Sequence, residues 1–79
     1  MARSKRISLG FRVVNTRTGI PLSPIFIHRE PARDIAKRLW EEEAIPVGVQ
    51  KVEVHVPSTW KRGDSLIGYA DDDIIAQLQ

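Results

Sequence analysis

Apolar and polar residues alternate along the first part of the chain, in segment 5–15 (KRISLGFRVVN). The apolar members share one face of an extended chain: Ile7, Leu9, Phe11 and Val13. This period of two predicts a half-buried strand. Turn residues follow at 15–19, and then a second extended segment at 20–28 whose Pro21 and Pro24 cannot donate to a ladder. The two segments together predict a β-hairpin whose second strand lies at a sheet edge.

The spacing of apolar residues then changes from two to between three and four. The repeat predicts one apolar stripe of a helix, formed by Ala32, Ile35, Ala36, Leu39 and Trp40. Pro31 suits the first helical turn, and Pro46 ends the helix near Ala44.

The remaining chain predicts a third strand at 47–56 and two shorter elements. Its valines change parity, so either the chain bulges near Gln50 or Val47 and Val49 lie in the connection; we favour the connection. Residues 66–69 predict a short strand. Three aspartates at 71–73 precede Ile74, Ile75 and Leu78, which predicts an N-cap and a short C-terminal helix.

These elements predict an α+β protein with a single small domain, 1–79, and a flexible basic N-terminus at residues 1–5. The β-β-α-β core would pack a sheet on one amphipathic helix, followed by the short strand and the short C-terminal helix. The expected core comprises Ile7, Leu9, Phe11, Val13, Phe26, Ile35, Leu39, Trp40, Val52, Val54 and Val56.

Charge is divided unevenly between the two halves of the sequence. The formal net charge is only +2, but residues 1–38 hold nine of the twelve basic side chains and residues 39–79 hold eight of the ten acidic ones. Such a split favours a charged partner.

Several functional classes are disfavoured by composition. The chain has no cysteine, which removes disulfides, thiolate metal sites and thiol nucleophiles, and predicts a reducing, cytoplasmic location. No signal-peptide pattern or long apolar run predicts membrane association. His28 and His55 are interpreted as solvent-facing strand residues rather than a metal or general-base pair. We therefore expect no enzyme activity, no cofactor and no metal.

Candidate binding residues are mainly the basic side chains of the first half. Arg29, Arg33 and Lys37 recur every four residues, and Arg12 points away from the apolar face of its strand. Trp60 lies in a polar loop, either as an exposed anchor or packed over the edge of the core. The candidate partner- or nucleic-acid-binding residues are Arg12, Arg17, Arg29, Arg33, Lys37, Trp60, Lys61 and Arg62. Ordinary surface charge is the alternative interpretation.

The order of a basic hairpin, a helix of the form A-x-x-I-A-x-x-L-W and a valine strand resembles two groups of proteins over residues 7–56. It resembles the sheet-plus-helix DNA modules of plant transcription factors and phage integrase arms, which show three strands before the helix where this chain shows two. It also resembles the small α+β proteins of phages and mobile elements, of the anti-CRISPR type. The latter resemblance implies an inhibitor of a host nucleic-acid machine.

The sequence thus predicts a non-enzymatic protein that docks by charge on a protein or nucleoprotein partner. The alternative is a module that binds nucleic acid directly through the same basic hairpin and helix face. We expect a monomer, or a homodimer that pairs through the edge strand.

Overall fold

The computed structural model describes residues 6–78, and within them three antiparallel strands and one α-helix form the fold. The sheet order follows the chain, with β2 in the centre. The elements are β1 (Arg6–Asn15), α1 (Arg29–Glu43), β2 (Val47–Val56), a 3₁₀ turn (Asp71–Asp73) and β3 (Ile74–Leu78). The predicted α+β class is confirmed. The predicted flexible N-terminus, residues 1–5, lies outside the described residues.

β1 and β2 pair along their whole length, from Arg6 opposite Val56 to Asn15 opposite Val47. Val47 and Val49 therefore belong to the strand, and both sequence explanations of their parity are wrong: no bulge interrupts this ladder, and neither valine lies in the connection. Val47 and Val49 face α1, which covers the helix side of β2 at its start. The later valines face the loops that cover the opposite side at its end.

The sheet has two faces, which we name by the segments that cover them. The helix face carries the side chains of Phe11 and Val13, and Arg29 at the start of α1 lies over the Phe11 ring. The loop face carries Gly10 and its register partner Val52. It is covered by the segment before α1, which includes Ile25, and by the segment after β2, which includes Leu66.

The main core lies on the loop face. Its buried members are Ile25, Val52, Val54, Val56 and Leu66, with Ile27, Trp60, Tyr69 and Ile74 packed against them. The predicted burial of the three β2 valines is confirmed. Gly10 is required here because a Cβ at this position would lie 2.5 Å from Ile25 Cγ2 and 3.1 Å from Leu66 Cδ1.

The predicted core on the helix face is wrong at three positions. Ile7 and Leu9 are 57% and 44% exposed, and Trp40 is 61% exposed. The cause is the position of α1, which begins beside Phe11 and ends beside Thr16, whose N–H donates to the Pro46 carbonyl at 2.9 Å. The helix therefore covers only the half of β1 that follows Phe11.

The segment at 20–28 runs antiparallel beside β1, as predicted, but it forms bridges rather than a regular strand. The bridges join Val14 with Pro21 and Phe11 with Phe26. The prolines interrupt the ladder between them, and Ser23 fills one gap by accepting the Val13 N–H at 2.9 Å through its hydroxyl oxygen.

The helix ends where the sequence predicts. Ala44 adopts a left-handed conformation with φ 55°. Its N–H donates to the Trp40 carbonyl at 3.1 Å, and the Ile45 N–H donates to the Leu39 carbonyl at 3.3 Å, which closes the last turn.

The C-terminal helix predicted from the aspartates is wrong. Asp73 accepts the Ala70 N–H at 3.0 Å, as an N-cap pattern requires, but only the single 3₁₀ turn forms. Ile74–Leu78 then pairs with β2 as the third strand, because the second edge of β2 is open and the sequence can alternate along it. Residues 66–69 form a turn rather than the predicted strand, with Leu66 buried in the core.

Candidate functional site

Arg12 stabilises the fold instead of lying on a free surface. Its side chain is on the loop face, where the residue is 5% exposed. Nε donates to Gln50 Oε1 at 2.9 Å, and Nη1 donates to Asp71 Oδ1 at 2.5 Å. The prediction that Arg12 contacts a partner is therefore corrected: its donors already connect β1 to β2 and to the 3₁₀ turn.

The three candidate basic residues of α1 remain on the surface. The helix includes Arg29, so Arg29, Arg33 and Lys37 share one side of it. The Arg29 guanidinium carbon is 5.2 Å from the centre of the Phe11 ring, a cation–π contact. Arg33 and Lys37 are exposed and border a shallow surface depression together with Glu30 and Asp34.

Arg17 is exposed at the tip of the hairpin, far along the sheet from Arg29. The tip is held by Asn15, whose Oδ1 accepts the Arg17 N–H at 2.8 Å and the Thr18 N–H at 3.2 Å. Because Thr16 bonds to Pro46, this tip lies beside the C-terminal end of α1, where Glu41–Glu43 are exposed. The structure therefore does not bring Arg17 together with Arg29.

Trp60 packs against the core and also forms the wall of a groove. It is half-buried against the core cluster, which supports the second of the two sequence interpretations. Its carbonyl oxygen accepts a hydrogen bond from Arg6 Nη1 at 2.6 Å. Its Nε1 is buried, with no hydrogen-bond partner among residues 6–78. The neighbouring Lys61 and Arg62 are exposed in a turn that Asp64 Oδ2 closes by accepting the Lys61 N–H at 2.8 Å.

A groove of about 380 Å³ separates this loop from the first half of β1. We call it the β1 groove; Ile7 and Leu9 lie on one side, Trp60 on the other, and Arg6 and Arg62 supply its positive charge. The sequence candidates omitted Arg6, and the expected burial of Ile7 and Leu9 concealed this surface. The available signal was the basic residue directly before Ile7, the first apolar position of the alternating pattern.

Charge pairing separates the buried arginine from the exposed basic residues. Arg12–Asp71 is the only ion pair found between side chains of residues 6–78. Six exposed candidates therefore have no ion-pair partner within that range: Arg17, Arg29, Arg33, Lys37, Lys61 and Arg62. Of these six, Arg29 contacts the Phe11 ring through its guanidinium, and none is neutralised by a carboxylate within the described range.

His28 and His55 are both exposed, as the sequence predicts. Across residues 6–78, no three His, Asp or Glu side chains are grouped so that they could hold a metal ion. The described part of the chain also contains no helix with the length and apolar character needed to cross a membrane.

Comparisons of the chain with models of protein families, with curated proteins and with solved structures each find no match.

Proposed function

We propose that this protein is a non-enzymatic binding module that docks its basic surface on an acidic surface of a protein partner. The observation that carries the proposal is the contrast in charge pairing. The one buried arginine of the candidate set has a carboxylate partner, whereas the exposed basic residues have none among residues 6–78. Unpaired surface charge is available to steer and orient a partner of opposite sign.

The β1 groove is the part of this surface best suited to docking. Exposed Ile7 and Leu9 lie beside it, and Arg6 and Arg62 flank them. Protein interfaces commonly combine an apolar centre with a polar rim, and arginine is enriched in them. Arg29 extends the positive charge from the groove onto the start of α1, since it lies over the neighbouring Phe11.

The resemblance to anti-CRISPR-type proteins supports a narrower form of the proposal. In that form the acidic surface belongs to a protein component of a host nucleic-acid machine, and the docked module inhibits the machine. Direct binding of nucleic acid is the competing function, because phosphates would contact the same unpaired arginines.

The experiment compares two double charge reversals that change the net charge equally. Arg29→Glu with Arg62→Glu alters the groove region, whereas Arg17→Glu with Arg38→Glu alters exposed residues away from it. Binding is followed by fluorescence anisotropy with a labelled glutamate-rich peptide, a labelled DNA duplex and a labelled single strand, at low and moderate salt.

We expect the groove reversal to weaken binding of the acidic peptide by about tenfold or more, and the distal reversal by roughly threefold or less. Glutamate at position 29 suits the first turn of α1, so circular dichroism should show an intact helix. Equal losses from both pairs, or no peptide binding at low salt, would contradict the proposal. Salt-sensitive binding of DNA without peptide binding would establish the competing function.

A further inference from the structure

β1 has one edge that faces away from β2, and along half of that edge the backbone groups are hydrogen-bonded. The odd-numbered residues of this strand direct their N–H and C=O groups away from β2. Phe11 exchanges two hydrogen bonds of 2.7 Å with Phe26, and the Val13 carbonyl accepts the Leu22 N–H at 2.7 Å. The Asn15 N–H likewise donates to the Ile20 carbonyl at 2.9 Å.

The other half of that edge is open. Backbone groups alternate along a strand, so the N–H and C=O of Ile7 and Leu9 point in the same outward direction as those of Phe11. Within residues 6–78, no backbone group pairs with them on that side. The Leu9 carbonyl receives only its neighbour's hydroxyl, Ser8 Oγ, at 3.3 Å. After the bridge at Phe26 no further bridge to β1 forms; Ile27 and His28 line the groove, and α1 begins at Arg29.

The β1 groove lies against this open edge and has two chemically different sides. Ile7 and Leu9 expose apolar side chains on the helix face, beyond the start of α1. Arg6 belongs to the loop face, and Arg62 lies across the groove beside Trp60. A strand placed in the groove would therefore meet apolar side chains on one face and positive charge on the other.

We propose that the groove binds an extended, acidic segment of a partner protein, which pairs with Ile7 and Leu9 as an additional strand of the sheet. The inference rests on the proposed docking function and specifies its occupant. Main-chain hydrogen bonds would supply much of the affinity, and alternate side chains would supply the specificity. The segment would carry apolar residues at every second position and Asp or Glu between them.

Charge complementarity favours this occupant over a second copy of the chain. Edge-to-edge pairing of two β1 strands would bring the Arg6 and Arg62 side chains of both copies toward one interface, and such like-charge contacts are unfavourable. An acidic segment instead neutralises both arginines. It also covers an edge that would otherwise be open to nonspecific strand pairing.

The probe is a dye-labelled eight-residue peptide with alternating Val and Glu. Two matched controls carry N-methyl groups at alternate positions, one on the valines and one on the glutamates. In an added strand, either the valine N–H groups or the glutamate N–H groups pair with β1, but not both. One N-methylated control should therefore bind about tenfold or more weakly, and the other should bind with the affinity of the unmodified peptide.

Amide hydrogen exchange locates the contact in the protein. We expect bound peptide to slow exchange at Ile7 and Leu9 by about tenfold or more, and to leave the Phe11 amide, already bonded to Phe26, little changed. A protein variant tests the same edge. Leu9→Pro removes an outward N–H while the β1–β2 hydrogen bonds stay available, and Leu9→Ala retains that N–H.

Leu9→Pro should weaken the peptide by about tenfold relative to Leu9→Ala. If circular dichroism shows that Leu9→Pro unfolds, the N-methyl pair and the exchange data still decide the question. Peptide binding that depends on Arg62 but does not protect Ile7 and Leu9 would overturn strand addition while the docking function stands. Failure of every acidic probe would overturn both. Dimerisation lost in Leu9→Pro would assign the edge to a second copy, and exclusive binding of DNA would assign the surface to nucleic acid; either result overturns the inference.

Discussion

Residues of one chemical type have opposite roles in this protein because of where the sheet places them. Arg12 lies opposite Gln50 on the loop face, where burial requires that its donors find partners. Arg62 lies on a turn and has no ion-pair partner within residues 6–78. The sequence alone predicts that both are surface charges, since the register that buries Arg12 depends on a strand 38 residues later in the chain.

Gly10 is the residue for which the structure predicts the largest effect of adding one carbon. In Gly10→Ala, the new Cβ would meet Ile25 Cγ2 at 2.5 Å, and Ile25 is buried. This branched methyl cannot rotate away freely, so overpacking should lower the free energy of unfolding by about 1–3 kcal/mol. Urea denaturation monitored by circular dichroism measures the loss.

Gly48→Ala is the matched control, since Gly48 lies on the same face at the other end of the ladder. Its added Cβ would meet only Thr16 Cγ2, at 3.1 Å, on an exposed residue that can adjust. We expect a change within about 0.5 kcal/mol. Equal destabilisation by the two substitutions would show that Ile25 does not pack over Gly10 as described.

At the scale of the elements, a C-terminal strand and a C-terminal helix predict different effects of substituting Ile74 and Ile75. Ile74 packs against the core, whereas Ile75, the extra residue at a register shift between β2 and β3, is 44% exposed. Ile74→Ala should therefore cost about 2 kcal/mol of stability and Ile75→Ala about 0.5 kcal/mol or less. Thermal or urea unfolding of the two variants gives the comparison directly.

A helix beginning at Asp71–Asp73 would place Ile74, Ile75 and Leu78 on one apolar face, so both isoleucine substitutions would then be costly. Similar losses at positions 74 and 75 would thus contradict the strand. The short range of the capping pattern explains the failed helix prediction. The aspartates do begin a helical turn, but the free edge of β2 draws the next residues, Ile74–Leu78, into the sheet.

Local patterns predicted most of the elements, and long-range placement decided which faces became the core. Alternation identified β1, and the apolar stripe identified α1 with its end at Ala44. The same alternation wrongly predicts that Ile7 and Leu9 are buried. It shows which side chains share a face of the strand, but not how far the helix covers that face. The candidate site was obscured for this reason: part of its apolar surface was counted as core.

In the whole molecule, the two faces of the sheet are covered at opposite ends, an arrangement that we call offset cover. α1 lies over the half of the sheet near Thr16, and the core loops cover the opposite face toward Val56. Each end of the sheet is consequently covered mainly on one side. This offset exposes the β1 groove at one end and places the acidic end of α1 at the other.

Offset cover also predicts the shape of the molecule in solution. The described chain measures 50 × 22 × 19 Å, with a Cα radius of gyration of 13.4 Å. A compact domain of this length would have a radius of gyration of about 12 Å. Small-angle X-ray scattering from the monomer should therefore give a value clearly above the compact one and an elongated distance distribution. A radius of gyration of about 12 Å would mean that α1 and the core loops fold toward each other and cover the groove, which would remove the surface on which docking depends.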